Sequence, residues 1–253
     1  MSSAAPSHAV PTHRLTVRII GPGRAGRSFA AALVQQGAAV DLVDRAAPID
    51  GAADGVDLVL LCVPDGRIPE VAATIAPGDA VVAHCAGSRT LDVLEPHVRR
   101  ASIHPLMSLP DPEIGAARLL DHCHFAVAGD PIASELVTFL GGVSLQVPEA
   151  DRALYHAAAS IAANHLVALC AQVETIAREL ELPPAAFWEL MATTFQNVRT
   201  QGAAASVTGP AARGDWETIR SHLAVLDPDE RAGYRALAQA AAHLGGRNWP
   251  DDL

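Results

Sequence analysis

A chain of 253 residues exceeds one nucleotide-binding domain and suits one such domain with a smaller partner. Half the residues are hydrophobic, which is enough for a core, and a net charge of −10 argues against a nucleic-acid or anionic-membrane surface. No apolar run in the sequence approaches the ~20 residues that span a bilayer. Residues 1–13 lack the cationic start and hydrophobic centre of a secretory signal, and their Ser, Ala and Pro content reads as a disordered tail. Cys62, Cys85, Cys123 and Cys170 show no C-x-x-C pairing, the pattern of reduced thiols in a cytoplasm.

In chain order, residues 15–20 form an apolar strand that runs into Gly21-Pro22-Gly23-Arg24-Ala25-Gly26. This G-x-G-x-x-G follows a strand and precedes an alanine-rich helix over 27–36, the context of a dinucleotide loop. Gly21 makes the tight turn, Gly23 admits a pyrophosphate to the backbone, and Gly26 lets the helix pack close to the sheet. Gly37 is the expected C-cap of that helix. A second strand over 39–43 ends at Asp44, 18 residues after Gly26 and at the position of a ribose-binding acid. Arg45 follows at once, and with Arg24 it offers two guanidiniums for a 2′-phosphate. The cofactor is therefore NAD or NADP, with Asp44 tilting the choice to NAD.

Residues 56–63 are apolar almost throughout, as a strand covered on both faces requires. Val63 and Pro64, which close it, join the cofactor side. A short helix over 68–75 and strands over 80–83 and 101–103 follow, then strands over 124–128 and 143–147 flanking a helix over 132–140. The whole reads as an α/β, doubly wound parallel sheet of Rossmann type over 14–148.

At Pro148 the pattern changes. Apolar residues recur at helical spacing from 149 to 180, and further helices fit 184–200, 214–226 and 228–244. Residues 149–253 are thus expected to be an all-helical substrate and dimerisation domain. The long helix carries more apolar and alanine surface than a small domain covers, so a homodimer through the helical domains is expected. Phe187, Trp188 and Phe195 are expected in its core.

These residues carry a resemblance. The chain resembles the superfamily that joins a Rossmann domain to a helical domain like that of 6-phosphogluconate dehydrogenase. That group includes hydroxyacid dehydrogenases, ketopantoate reductases, pyrroline-carboxylate reductases and prephenate dehydrogenases. Within it the likeness is to the Rossmann-like family with a C-terminal domain of unknown function, DUF2520. It rests on 21–26, DLVLLCVPD at 57–65, HCAGS at 84–88, HPLMSL at 104–109, YHAAASIAANHL at 155–166 and TGPAARGD at 208–215. It covers about residues 15–245 and implies an NAD(P)-dependent reductase or dehydrogenase; some members resemble an alternative ketopantoate reductase. His104-Pro105 also resembles the His-Pro of prephenate dehydrogenases, whose histidine lies beside the substrate. Hydroxyacid dehydrogenases and ketopantoate reductases place a catalytic lysine on the long helix, whereas this chain contains no lysine at all.

Carbonyl reduction by hydride needs a bound nicotinamide, a proton donor for the developing alkoxide, and donors for a substrate carboxylate. In an open α/β sheet those groups belong at the carboxyl ends of strands. His84 and His104 fall there, each as a proton donor or as a loop-bracing hydrogen-bonder, and the backbone at Gly87 and Ser88 offers a floor for nicotinamide or carboxylate. On the long helix Arg152, His156, Ser160 and Asn164 recur every fourth residue among alanines and form one polar stripe. Without lysine, histidine is the expected acid, since arginine stays charged. Arg213 either binds the substrate carboxylate or braces its loop, and Asp215 is a candidate N-cap. His122-Cys123-His124 is set aside as a metal site because alternation points the cysteine away from both histidines. Two functions remain: an oxidoreductase on a small carboxylated 2-oxo or 2-hydroxy compound, ketopantoate being the best single candidate, or a dinucleotide-binding sensor without chemistry.

Overall fold

The computed structural model describes residues 14–253, so the expected tail at 1–13 lies outside the described residues. The chain divides into two compact units, Met1–Ala163 and Asn164–Leu253. The division falls beyond the strand-to-helix change at Pro148 because the first turns after Pro148 pack onto loops of the sheet, through Arg152 and Tyr155.

In the first unit, seven strands form one sheet in the order β2-β1-β3-β4-β5-β6-β7. They are β1 Thr16–Ile20, β2 Ala39–Val43, β3 Leu58–Leu61, β4 Val81–His84, β5 Arg100–Pro105, β6 His124–Gly129 and β7 Val143–Gln146. The helices are α1 Arg24–Gln35, α2 Ile68–Thr74, α3 Pro112–Leu120, α4 Ile132–Phe139 and α5 Arg152–Ser160. Every residue of β3 is buried, and alternation sends them to two separate clusters. Leu58 and Leu60 join Phe29, Leu33 and Phe125 on one face, while Val59 and Leu61 join Ile68, Ile75 and Leu94 on the other. The sheet is therefore covered on both faces, as a doubly wound fold demands.

Three details correct the sequence reading. The sheet is not wholly parallel: β6 runs antiparallel to β5, pairing Pro105 with Phe125 and Ala101 with Gly129, and β7 follows β6 in parallel. The unforeseen helix α3 causes this, because it packs on α1 and returns the chain to the end of the sheet that it left; the Leu106 N–H bonds the His124 carbonyl at 2.8 Å. Helix α1 begins at Arg24 rather than 27, and its C-cap is Gln36, with Gly37 one residue beyond at φ 95°.

The 149–180 helix is also not uniform. A 3-10 turn at Glu149–Asp151, α5, a π-helical turn at Ile161–His165 and α6 Leu166–Glu179 make it up. By length and composition the helical stretch Glu149–Glu179 is apolar enough to cross a membrane, where the sequence reading found no such run. The second unit adds α7 Ala185–Gln201, α8 Ala203–Ser206, α9 Pro210–Arg213, α10 Trp216–Val225 and α11 Pro228–Leu244. Ile219, Leu223, Ala238 and Ala242 form its small core, flanked by Trp216 stacked edge-on to Trp249. Phe187 and Trp188 are only half-buried, and Phe195 is exposed, so the expected aromatic core is not formed there.

Candidate functional site

At the carboxyl ends of β1 and β3 the strand order reverses, the position where doubly wound sheets bind ligands. Gly21 turns the chain there at φ 109°, and a Cβ on it would lie 2.4 Å from the Cys62 carbonyl oxygen. Val63 sits against the same turn, with its Cγ1 3.1 Å from that point, and Pro64 is exposed beside it. Gly26 is equally constrained, since its Cβ would fall 2.1 Å from the Gly21 carbonyl oxygen. Gly23 is different: nothing lies within 4 Å of its would-be Cβ. Gly23 is also the N-cap of α1; no side chain caps the helix and its first turn carries no acid. An open glycine before a free, positive helix end fits a pyrophosphate. Arg24 is exposed and Ala25 half-buried in this turn, with Pro22 half-buried before it.

Asp44 and Arg45 follow β2, both exposed; the Asp44 carboxylate accepts the Arg45 N–H at 2.6 Å. The carboxylate is thereby fixed at the strand end by its neighbour's backbone.

His84 ends β4 and is fully buried. Its Nδ1 accepts the Ala86 N–H at 3.2 Å, so the ring proton resides on Nε2, which faces the Thr90 carbonyl at 3.3 Å. Both nitrogens are spent inside the residue's own loop, which is the loop-bracing alternative of the sequence reading. Burial first, and the Arg152 charge second, lower its pKa to about 4.

His104, in β5, is half-buried and bonded through Nδ1 to the Tyr155 hydroxyl at 2.7 Å. The rings of Tyr155 and His156 both stand edge-on to it, with centroids 5.6 and 6.0 Å away. Desolvation, then His156, Arg152 and His84, lower the His104 pKa to about 4. Burial raises that of Tyr155. At neutral pH the pair is therefore an uncharged imidazole and an uncharged phenol.

Gly87 completes the cluster. A Cβ there would lie 2.5 Å from His156 Cδ2 and 2.9 Å from His104 Nε2, so only glycine lets the loop lie against both rings. Its carbonyl and that of Ala86 are each 3.4 Å from Nη1 of Arg152, which is 1% exposed. Among the described residues, the Nε and Nη2 of Arg152 find no hydrogen-bond partner. Glu149, the nearest acid to influence it, bonds instead to the Leu91 N–H at 2.7 Å. A buried guanidinium with so few hydrogen bonds is costly, and it imposes a positive potential on the phenol and imidazoles around it.

The structure thus brings together His84, Gly87, His104, Arg152 and His156, with Ser88 half-buried on the same loop and Ser160 half-buried further along α5. Asn164 opens the second compact unit, inside the π-helical turn, and Arg213 is an exposed residue of that unit at the end of α9. Asp215 caps α10 as anticipated, accepting the Thr218 N–H at 3.2 Å. At 122–124, Cys123 is buried and both histidines are exposed. Among the described residues, no three His, Cys, Asp or Glu side chains are grouped to hold a metal. Sequence reasoning missed Tyr155, which was quoted only within a motif. Its place three residues after Arg152, on the same helix face, was the available signal.

The two neutral histidines have a consequence for stability. Their unfolded pKa is near 6.5, so between pH 6.5 and 4 the unfolded chain binds more protons than the folded one. Stability from this source is complete above pH 6.5 and is lost as pH falls toward 4. For buried His84 the loss is at most about 3 kcal/mol by pH 4. Urea unfolding at pH 7.5 and 4.5 should show it, and His84→Gln should flatten the dependence. An unchanged slope in that variant would mean that His84 titrates freely in the fold.

Comparison with known proteins agrees with this architecture. Residues 124–241 match the family described as "Domain of unknown function (DUF2520)". No curated protein matches the chain. Among solved structures, one similar protein is a Bacteroides fragilis protein described as a candidate NADP oxidoreductase. It is 18% identical, with TM-score 0.75, covering 91% of this chain and 98% of its own. A Thermotoga maritima protein has TM-score 0.68 at 23% identity, over 91% of this chain and 98% of its own. Plasmodium falciparum pyrroline carboxylate reductase, solved with NADP bound, has TM-score 0.60 at 10% identity, again over 91% and 98%. Residues 124–241 thus carry a match to the DUF2520 description, and the chain shares its fold with these solved structures over 91% of its length.

Proposed function

We propose that the protein is an oxidoreductase transferring hydride between a nicotinamide dinucleotide and a small carboxylated 2-oxo or 2-hydroxy compound. The observation that carries the proposal is the neutral His104–Tyr155 pair at the carboxyl end of β5, in the same sheet as an open glycine loop. The loop and the α1 N-terminus would hold the pyrophosphate, and His104 would face the developing alkoxide. Ketopantoate is the best single substrate candidate. The four cysteines are free, which fits a reducing cytoplasm. The test is NAD(P)H oxidation across a panel of 2-oxo acids. Tight dinucleotide binding with no turnover on any of them would favour the second reading, a sensor. That reading has its own support in the lack of lysine and in the fully engaged His84 ring.

For the cofactor, the Asp44 carboxylate, held by the Arg45 N–H, would accept both ribose hydroxyls and repel a 2′-phosphate, which favours NAD. Exposed Arg45 and Arg24 oppose it, since a guanidinium from either could clamp that phosphate. The Plasmodium reductase was solved with NADP. Repulsion at ~4 Å in water amounts to only about 1 kcal/mol, so the expected preference for NADH is modest. Dissociation constants for NADH and NADPH at one ionic strength decide it. A strong NADPH preference that vanishes in Arg45→Ala would reverse the assignment.

A second copy is proposed to cover the exposed apolar residues of the second unit, among them Val167 at 68%, Leu190 at 63% and Phe195 at 62% exposure. Light scattering at micromolar concentration should then give a dimer mass, and a monomer would refute the assembly.

A further inference from the structure

Three groups around His104 have no role yet: the Tyr155 phenol on its Nδ1, the buried Arg152 guanidinium, and the glycine floor that leaves Nε2 facing Gly87. Together they answer a question raised by the missing lysine, namely where the proton comes from. A neutral imidazole acting alone would have to become imidazolate, which is a poor outcome at neutral pH.

We propose that Tyr155 is the proton source of the reaction, passing its proton through the His104 ring to the substrate oxygen, with Arg152 stabilising the phenolate left behind. The inference rests on the oxidoreductase reading. In the resting state the Tyr155 O–H donates to Nδ1, which places the imidazole proton on Nε2. When bound, a reduced nicotinamide would supply the hydride to the carbonyl carbon and be oxidised by it, and the π-electron pair of the C=O bond would move to oxygen. That oxygen takes the Nε2 proton while Nδ1 takes the phenol proton. His104 is thus left neutral in its other tautomer, and the negative charge ends on the Tyr155 oxygen. Water returns the proton to the phenolate after product leaves.

The surroundings suit that charge movement. Arg152 lies one helical turn before Tyr155 on α5, buried, with two donors unspent. His84 from β4 is uncharged at neutral pH, the His156 ring from α5 stands edge-on to His104, and Cys123, just before β6, acts electrostatically on the phenol. Glu149, the acid that acts on Arg152, gives one carboxylate oxygen to the Leu91 N–H. Tyr155 acts through His104 and does not itself touch substrate.

Two measurements test this, one needing no turnover. In the free protein, imidazole ¹⁵N NMR should show His104 protonated on Nε2, with Nδ1 as a hydrogen-bonded acceptor. Tyr155→Phe should abolish the Nδ1 hydrogen-bond signature while the rest of the spectrum holds. A resting ring protonated on Nδ1 overturns the proposal whatever the enzyme does. In the reduction assay, Tyr155→Phe should lower kcat by about 10²-fold with KM and dinucleotide affinity nearly unchanged. The wild-type rate should stay level between pH 6 and 9, and its solvent-deuterium dependence should report two moving protons, falling to one in the variant. Unaltered kcat, or a rate that falls through pH 6–7 as an imidazolium donor would dictate, overturns it. Absence of wild-type turnover on every 2-oxo acid would sink the oxidoreductase reading instead, leaving the NMR result to decide the resting pair.

Discussion

His104→Ala should lower turnover by ~10²–10⁴ while leaving dinucleotide affinity nearly unchanged. The expectation follows from placement. His104 belongs to β5, so its backbone is fixed on both sides, to Ala83 and His84 through their partners Ala101 and Ser102, and directly to Ala126 of β6. Its ring stands between the Tyr155 hydroxyl and Gly87, and neither the glycine loop nor Asp44 depends on it. Removing the imidazole leaves a phenol too distant to reach a substrate oxygen at Nε2, and a gap lined by Gly87 and His156. Binding and chemistry should therefore separate cleanly. If the variant lost affinity for NADH and NADPH by as much as it lost rate, His104 would be a binding residue. If it kept full turnover, it would leave the mechanism altogether.

Gly26→Ala should weaken dinucleotide binding by more than 10²-fold and also lower the unfolding temperature. A methyl group 2.1 Å from the Gly21 carbonyl oxygen and 3.3 Å from Cys62 Cβ meets backbone on one side and the β3 exit on the other. The helix must move off the loop, and the free N–H groups move with it. Gly23→Ala provides the contrast. Its new methyl meets nothing within 4 Å and its φ of −80° is ordinary, so the fold should survive at a cost of about 1 kcal/mol or less. Affinity should nonetheless fall, because the methyl occupies the approach of the phosphate. Calorimetric titration beside thermal unfolding separates the two cases. Equal loss of stability in both variants would mean that Gly23 is a packing residue.

Some of this was legible in the residues. The motif at 21–26 announced itself because strand, turn and helix signals coincide, and Leu58–Leu61 read as a doubly covered strand because nothing polar interrupts it. The direction of β6 did not, since alternating burial looks the same in either direction. Helix α3 hid behind Pro105, Pro110 and Pro112, which suggest a loop. Yet Asp111 accepts the Glu113 and Ile114 N–H groups at 3.0 and 2.9 Å, and Pro112 takes the first helical position where its missing N–H costs nothing. Tyr155 was passed over because the polar stripe was counted in steps of four. The residue that matters to His104 lies three from Arg152. The role of His84 depended on which nitrogen its own loop claims, and only coordinates reveal that.

The antiparallel joint between β5 and β6 also bears on what the DUF2520 match delimits. The matched stretch opens at His124, the first residue of β6, in mid-sheet. Cut out there, β6 and β7 would be a two-stranded ribbon whose inner edge had lost Ala101–Pro105, and Phe125 and Val127 would have lost Phe29 and Leu33. Such a bare edge seeks another chain, and two strands alone rarely hold together in water. The matched stretch is therefore not an autonomous module. Its strands can fold in place only when the strands before them are there to receive them.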